Sequence, residues 1–137
     1  MSRDLASELA AICNKAPFNV WAGLEIVAAD PGEVEISMPW RSEAGQYSGF
    51  LHAALIGGLL DTACGFAAVT LVGTGLLASH FSVNCLAPAV GVRFNARGFV
   101  VRPGRRQIFT RAELSAIDAA GARKLVATGE TLLMKTD

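Results

Sequence analysis

The sequence predicts an α+β domain in which an antiparallel sheet curls around one long, buried helix. Three observations predict it. From Leu51 to Ala68 the chain is apolar on nearly every side of a helix, with Leu55, Ile56, Leu59, Leu60, Ala63, Cys64, Phe66 and Ala67 spread around it. A helix with no polar face is a buried helix. Strand-like runs lie both before and after it, and they do not alternate with further helices, which excludes a βαβ plan. Strands flanking a buried helix in sequence can cover it only by curling around it.

Taken in order, residues 2–15 open with Ser and Asp and place Leu5, Leu9 and Ile12 at helical spacing, a short amphipathic helix. Pro17 stops it. Residues 22–29 and 33–39 read as two strands joined by Asp30-Pro31-Gly32, where Pro followed by Gly favours a tight turn. In the second strand Val34, Ile36 and Met38 point one way, and Glu33, Glu35 and Ser37 the other. Residues 41–50 are a polar, Gly-containing loop that leads into the central helix. Beyond Gly73 and Gly75 come strands over 77–86, 92–101, 105–117 and 123–134, with turns at Arg102-Pro103-Gly104 and Asp118-Ala119-Ala120-Gly121. The reading is a single domain over 1–137, of which 1–16 form the short N-terminal helix.

Composition narrows the function classes. Twelve basic and twelve acidic side chains give a net charge of zero, so no electrostatic footprint points to nucleic acid. Hydrophobic residues make up 52% of the chain, above the usual share, and a subunit interface is the place to bury the excess. Cys13, Cys64 and Cys85 are odd in number and widely spaced, which reads as reduced thiols in the cytoplasm. The opening residues MSRDLASELAAICNK lack the apolar run of a signal peptide. Residues 51–78 are long enough to span a bilayer. Asp61 would then sit near its centre at a cost of roughly 2.5–3.5 kcal/mol, so no membrane span is expected. His52 and His80 lie 28 residues apart and, with scattered cysteines, match no metal-ligand spacing.

Asp61 is the anomaly. A carboxylate in the middle of an apolar helix is costly unless it is paired, hydrogen-bonded or used. On the residues alone, a general base or nucleophile and a structural Asp bonded to backbone stand about even.

Four segments, in order and at matching spacing, decide between them. Gly49 is followed by His52-Ala53-Ala54, and Asp61-Thr62-Ala63 begins nine residues after the histidine. Val83-Asn84-Cys85-Leu86-Ala87-Pro88-Ala89 and Val100-Val101-Arg102-Pro103-Gly104-Arg105 follow. Over nearly its whole length the chain resembles the PaaI-type hotdog-fold acyl-CoA thioesterases. That resemblance implies the hotdog fold, a substrate acyl-CoA, no cofactor, and Asp61 as general base or nucleophile. It also implies that the backbone N–H of Ala53, at the helix N-terminus, polarises the thioester carbonyl; helix N-termini favour negative charge. Gln46 stands where the family often has an Asn that helps hold the carbonyl or a water. His52 at the helix entry is either in contact with the site or a structural cap. Thr62 and Ser79 are hydroxyl candidates for holding a water, although the family's hydroxyl position falls on Ala78. Arg102, Arg105 and Arg106 suit the phosphates of coenzyme A, with a solvated basic hairpin as the alternative. Phe50, with Phe18 and Trp21, either lines an acyl pocket or is plain core. The family's HGG is HAA here, which keeps the N–H and adds a methyl where substrate would approach.

Ala53 and Asp61 are eight residues apart, about 12 Å along one helix, so one thioester carbon cannot touch both in the same chain. Two antiparallel helices side by side would bring them together. The expectation is therefore a homodimer with shared sites, as in the family, and dimers pairing into a tetramer. Two other functions stay open. A non-catalytic acyl-CoA-binding protein gains weight from the HAA departure. A hotdog dehydratase or hydratase would pair its histidine with an acid about fourteen residues later in a Pro/Gly-rich run, and the gap here is nine.

Overall fold

The computed structural model describes residues 4–136; Ser2 and Arg3 of the expected first helix lie outside them. Helix α1, Leu5–Cys13, is capped by Asp4, whose carboxylate accepts from Ser7 N–H. A second short helix, α2, runs Pro17–Ala22. Pro17 thus starts a helix as well as ending one. It sits at the first helical position, where a missing N–H costs nothing. The residues from 22 onward expected as strand are corrected accordingly: Ala22 closes α2, Gly23 turns the chain in the left-handed region at φ 69°, and strand β1 is Glu25–Asp30.

Strand β2 is Glu33–Pro39, followed by a 3-10 turn at Ser42–Ala44. Helix α3 spans Ala53–Val72, and β3 (Leu76–Cys85), β4 (Arg93–Pro103), β5 (Gln107–Ile117) and β6 (Arg123–Lys135) complete the chain. The strands form one antiparallel sheet in the order β1-β2-β4-β5-β6-β3. Its inner face carries Val34, Ile36 and Met38 of β2, Phe94 and Ala96 of β4, and Ile108 and Leu114 of β5, all buried against α3. By length and composition α3 could cross a membrane; here it is the core of the domain. The closest approach is at Gly98 of β4. A Cβ there would run into the carbonyl of Ala63 and lie 2.9 Å from Cys64 N, so only glycine lets helix and sheet backbones touch.

Two details differ from the expectation. Ser37, placed on the solvent side of β2, is 2% exposed. It donates to Asn95 Oδ1 at 2.7 Å and accepts from Arg93 Nε, within an outer-face network in which Asn95 also bonds Glu35. Nor is α3 enclosed all round. Ala54 is exposed, and Gly58, Asp61, Thr62, Gly65 and Val69 are half-buried along one face that the sheet leaves open. A single sheet covers one side of a helix, and small side chains here let something else approach the other.

Candidate active site

The α3 N-terminus is built by the loop before it. Gly45 and Leu51 pair as an isolated bridge, Gln46 N–H donates to Phe50 O, and Gly49 takes a positive φ of 79° to close the turn. His52 is the N-cap. Its Nδ1 accepts from Ala54 N–H at 2.9 Å, and its carbonyl accepts from Leu55 and Ile56 N–H at 2.9 and 3.1 Å. An accepting Nδ1 places the ring proton on Nε2. A helix leaves its first four N–H groups without intrahelical partners. Of these, His52 N–H donates to Ala44 O and His52 accepts from Ala54 and Leu55 N–H, while Ala53 N–H is left without an acceptor among the described residues.

Around this free donor lies a cleft of about 480 Å³ lined by Gln46, Phe50, His52 and Ala53 from the loop and helix and by Cys85–Ala89 from the far side. Gln46 Oε1 already accepts from Ser48 N–H, so its carboxamide NH₂ is the end left for a ligand.

Asp61 is elsewhere. Two turns further along α3, it lines a separate cleft of about 390 Å³ with Thr62, Gly65, Ile12, Asn19 and the Thr74–Ala78 segment. Burial pushes its carboxyl above the ordinary carboxylate range, and a hydrogen bond from Thr131 partly offsets this. Thr131 Oγ1 donates to Asp61 Oδ1 at 3.3 Å, and no other protein group bonds the carboxylate among the described residues. Thr131 was not singled out by the sequence, because a Thr on a strand reads as an ordinary β-branched residue.

The structure therefore gathers Gln46, Phe50, His52 and Ala53 in one cleft and Asp61 and Thr62 in another. Ser79 joins neither. Its hydroxyl donates to Leu132 O at 3.3 Å beside the β3 bulge, and Ala78 takes the place facing Asp61. Arg102, Arg105 and Arg106 are exposed at the β4–β5 turn without an ion-pair partner among the described residues. Arg102 lines a third cleft on the outer sheet face with His80, Phe109 and Glu130. Phe18 and Trp21 are neither core nor in these two clefts. They are 42% and 40% exposed, with Phe18 near Gly58 and Arg41 stacked 4.1 Å over Trp21. No group of three or more metal-ligating side chains is found among the described residues.

A family model described as the thioesterase superfamily matches residues 48–121, which span the loop end, α3 and the strands through β5. Among solved structures, a thioesterase family protein from Silicibacter pomeroyi is 36% identical, with 95% of this chain and 96% of that chain covered at a TM-score of 0.89. The E. coli PaaI protein from the phenylacetic acid degradation operon shares the fold at 18% identity, with 97% and 94% covered and a TM-score of 0.85. A thioesterase from Haemophilus influenzae does so at 20% identity, with 100% and 93% covered and a TM-score of 0.83. No curated protein sequence matches the chain.

Proposed function

The chain belongs to the thioesterase superfamily, and from that premise we propose that it hydrolyses an acyl-CoA thioester to the free acid and coenzyme A. Asp61 removes a proton from water, and the resulting hydroxide attacks the thioester carbon. The carbonyl oxygen, now negative, is held by Ala53 N–H of the partner subunit. Collapse of the tetrahedral intermediate breaks the C–S bond, and the thiolate leaves with a proton.

One observation carries this reading: the N–H at the α3 N-terminus that has no partner among the described residues and the half-buried carboxylate in that helix are separated by about 12 Å and open into different clefts. Each cleft alone lacks what the other has. A second copy laid antiparallel against the open face of α3 would complete both. The exposed edge of β3, with Leu77 65% and Phe81 50% exposed, supports such a copy, since an unpaired apolar edge invites strand addition. Pairing of dimers into a tetramer belongs to the same proposal, as does phosphate binding by Arg102, Arg105 and Arg106. Three cysteines free of disulfides accord with a cytoplasmic enzyme.

The test is free-thiol release from short, long and aryl acyl-CoAs, with Asp61→Asn alongside. Release that disappears in the variant is expected. Acyl-CoA binding without release from any substrate would overturn hydrolysis in favour of a binding protein, the reading that the Ala53 methyl at the helix entry favours.

A further inference from the structure

We propose that Thr131 of β6 is a positioning residue for the carboxylate of Asp61, holding one oxygen and leaving the other for water. The inference rests on the proposed role of Asp61 as base. Thr131 lies on the inner sheet face and is 3% exposed. Two residues along the same face comes Leu133, and across the strand pair stands Thr110. The site is therefore a core position, where valine has the same shape and no polar atom to satisfy. A buried hydroxyl without a partner is costly, and the hydroxyl of Thr131 finds its acceptor in Asp61 Oδ1 at 3.3 Å.

Thr131 is itself held. Its carbonyl accepts from Thr110 Oγ1 at 2.7 Å, a bond between neighbouring strands that fixes the backbone from which the hydroxyl projects. A threonine in a strand has few χ1 choices, so the donor is aimed by the sheet and not by a flexible loop. Asp61 Oδ2 has no protein partner among the described residues, and the residue lines the cleft. A base needs one free oxygen within reach of water and a fixed orientation. Donation to Oδ1 also favours the charged form against the burial that opposes it. The buried Cys64 thiol, three residues along α3, also faces Asp61 and Thr131, and burial pushes it up, so it stays neutral over the acid limb.

The experiment compares wild type, Thr131→Val, Thr131→Ser and Asp61→Asn by two readouts. The first is the pH profile of kcat/KM on an acyl-CoA substrate. The second is the titration of the Asp61 carboxyl followed by ¹³C NMR, which needs no turnover. Loss of a hydrogen bond as long as 3.3 Å, of no more than ordinary strength, should move the acid limb and the NMR midpoint of Thr131→Val upward by roughly half to one pH unit. At a pH on that limb the rate falls about three- to tenfold, and Thr131→Ser restores both readouts. An unmoved NMR midpoint in Thr131→Val would overturn the proposal, whatever the activity. Full activity in Asp61→Asn would instead overturn the base assignment and leave the NMR result to judge the hydrogen bond. Should Thr131→Val not fold, Thr131→Ala takes its place in both readouts.

Discussion

Replacing Ala53 with proline removes a single N–H and little else, which makes it a direct probe of the donor. Ala53 is the first residue of α3, the position at which proline is best tolerated. The residue before a proline must be extended, and His52 already is, with φ −65° and ψ 141°. No protein hydrogen bond is lost, since Ala53 N–H has no acceptor among the described residues. Stability should therefore hold to within about 1 kcal/mol, or roughly 3–4 °C in Tm for a chain of this size. Activity should not hold. Loss of one donor to a developing oxyanion costs about 10²–10³ in kcat. Ala53→Gly, which keeps the N–H and removes the methyl, is the control for bulk and should retain activity. Thiol release gives the rates, and a thermal scan the stability. The subunit argument follows from the same variant. In a heterodimer of Ala53→Pro and Asp61→Asn chains, one site takes both lesions and the other takes neither. Equal mixing and reassociation of the two inactive proteins should restore about a quarter of wild-type activity. Ala53→Pro with near wild-type kcat would refute the donor, and a mixture as dead as its parents would refute the shared site.

Three further outcomes follow from the geometry. Gly98→Ala should be destabilising by about 1–3 kcal/mol, because the new methyl meets the α3 backbone at Ala63 and Cys64 and one layer must move; an unchanged Tm in a thermal scan would contradict that packing. Asp61→Asn should be at least as stable as wild type at neutral pH. Burial raises the Asp61 carboxyl in the folded state, so its stabilising contribution is present at acid pH and is lost as pH rises from the ordinary carboxylate value through the raised one; a lower Tm for the variant at pH 7 would count against it. His52→Ala removes the side-chain cap on Ala54 N–H and should cost about 0.5–2 kcal/mol by denaturant titration, with no loss expected if the ring contributes nothing to the helix end.

The central helix was legible because its signal is redundant: an apolar run bounded by Gly73 and entered by His52 can be little else. The strands were legible through their turns, where Asp118 accepts from Ala120 and Ala122 N–H and Gly121 takes a φ of 87°. Helix α2 was not, since six residues with Phe18, Val20 and Trp21 all left exposed show no amphipathic period. At the candidate site, eight residues of helix at about 1.5 Å each were enough to separate Ala53 from Asp61. Three things stayed out of reach. The bulge in β3 shifts the register by one and turns Ser79 away from the Asp61 cleft. Gln46 spends its oxygen on its own loop. Thr131 lies 70 residues from Asp61 in the chain, and such pairings follow only from the assembled sheet.

The strand order has a kinetic consequence. β4, β5 and β6 follow one another in sequence and pair as neighbours through short turns, so this meander closes small loops and can form early. β2 reaches its partner β4 only across α3 and β3, as the Ser37–Asn95 bond across 58 residues makes plain. Topology of that kind places folding on the order of milliseconds to seconds and not microseconds. During that delay the meander has two open flanks, one awaiting β2 and the other β3. The β3 flank remains an open edge even after the chain has folded. Refolding yield should therefore fall as chain concentration rises, until a second subunit occupies that edge.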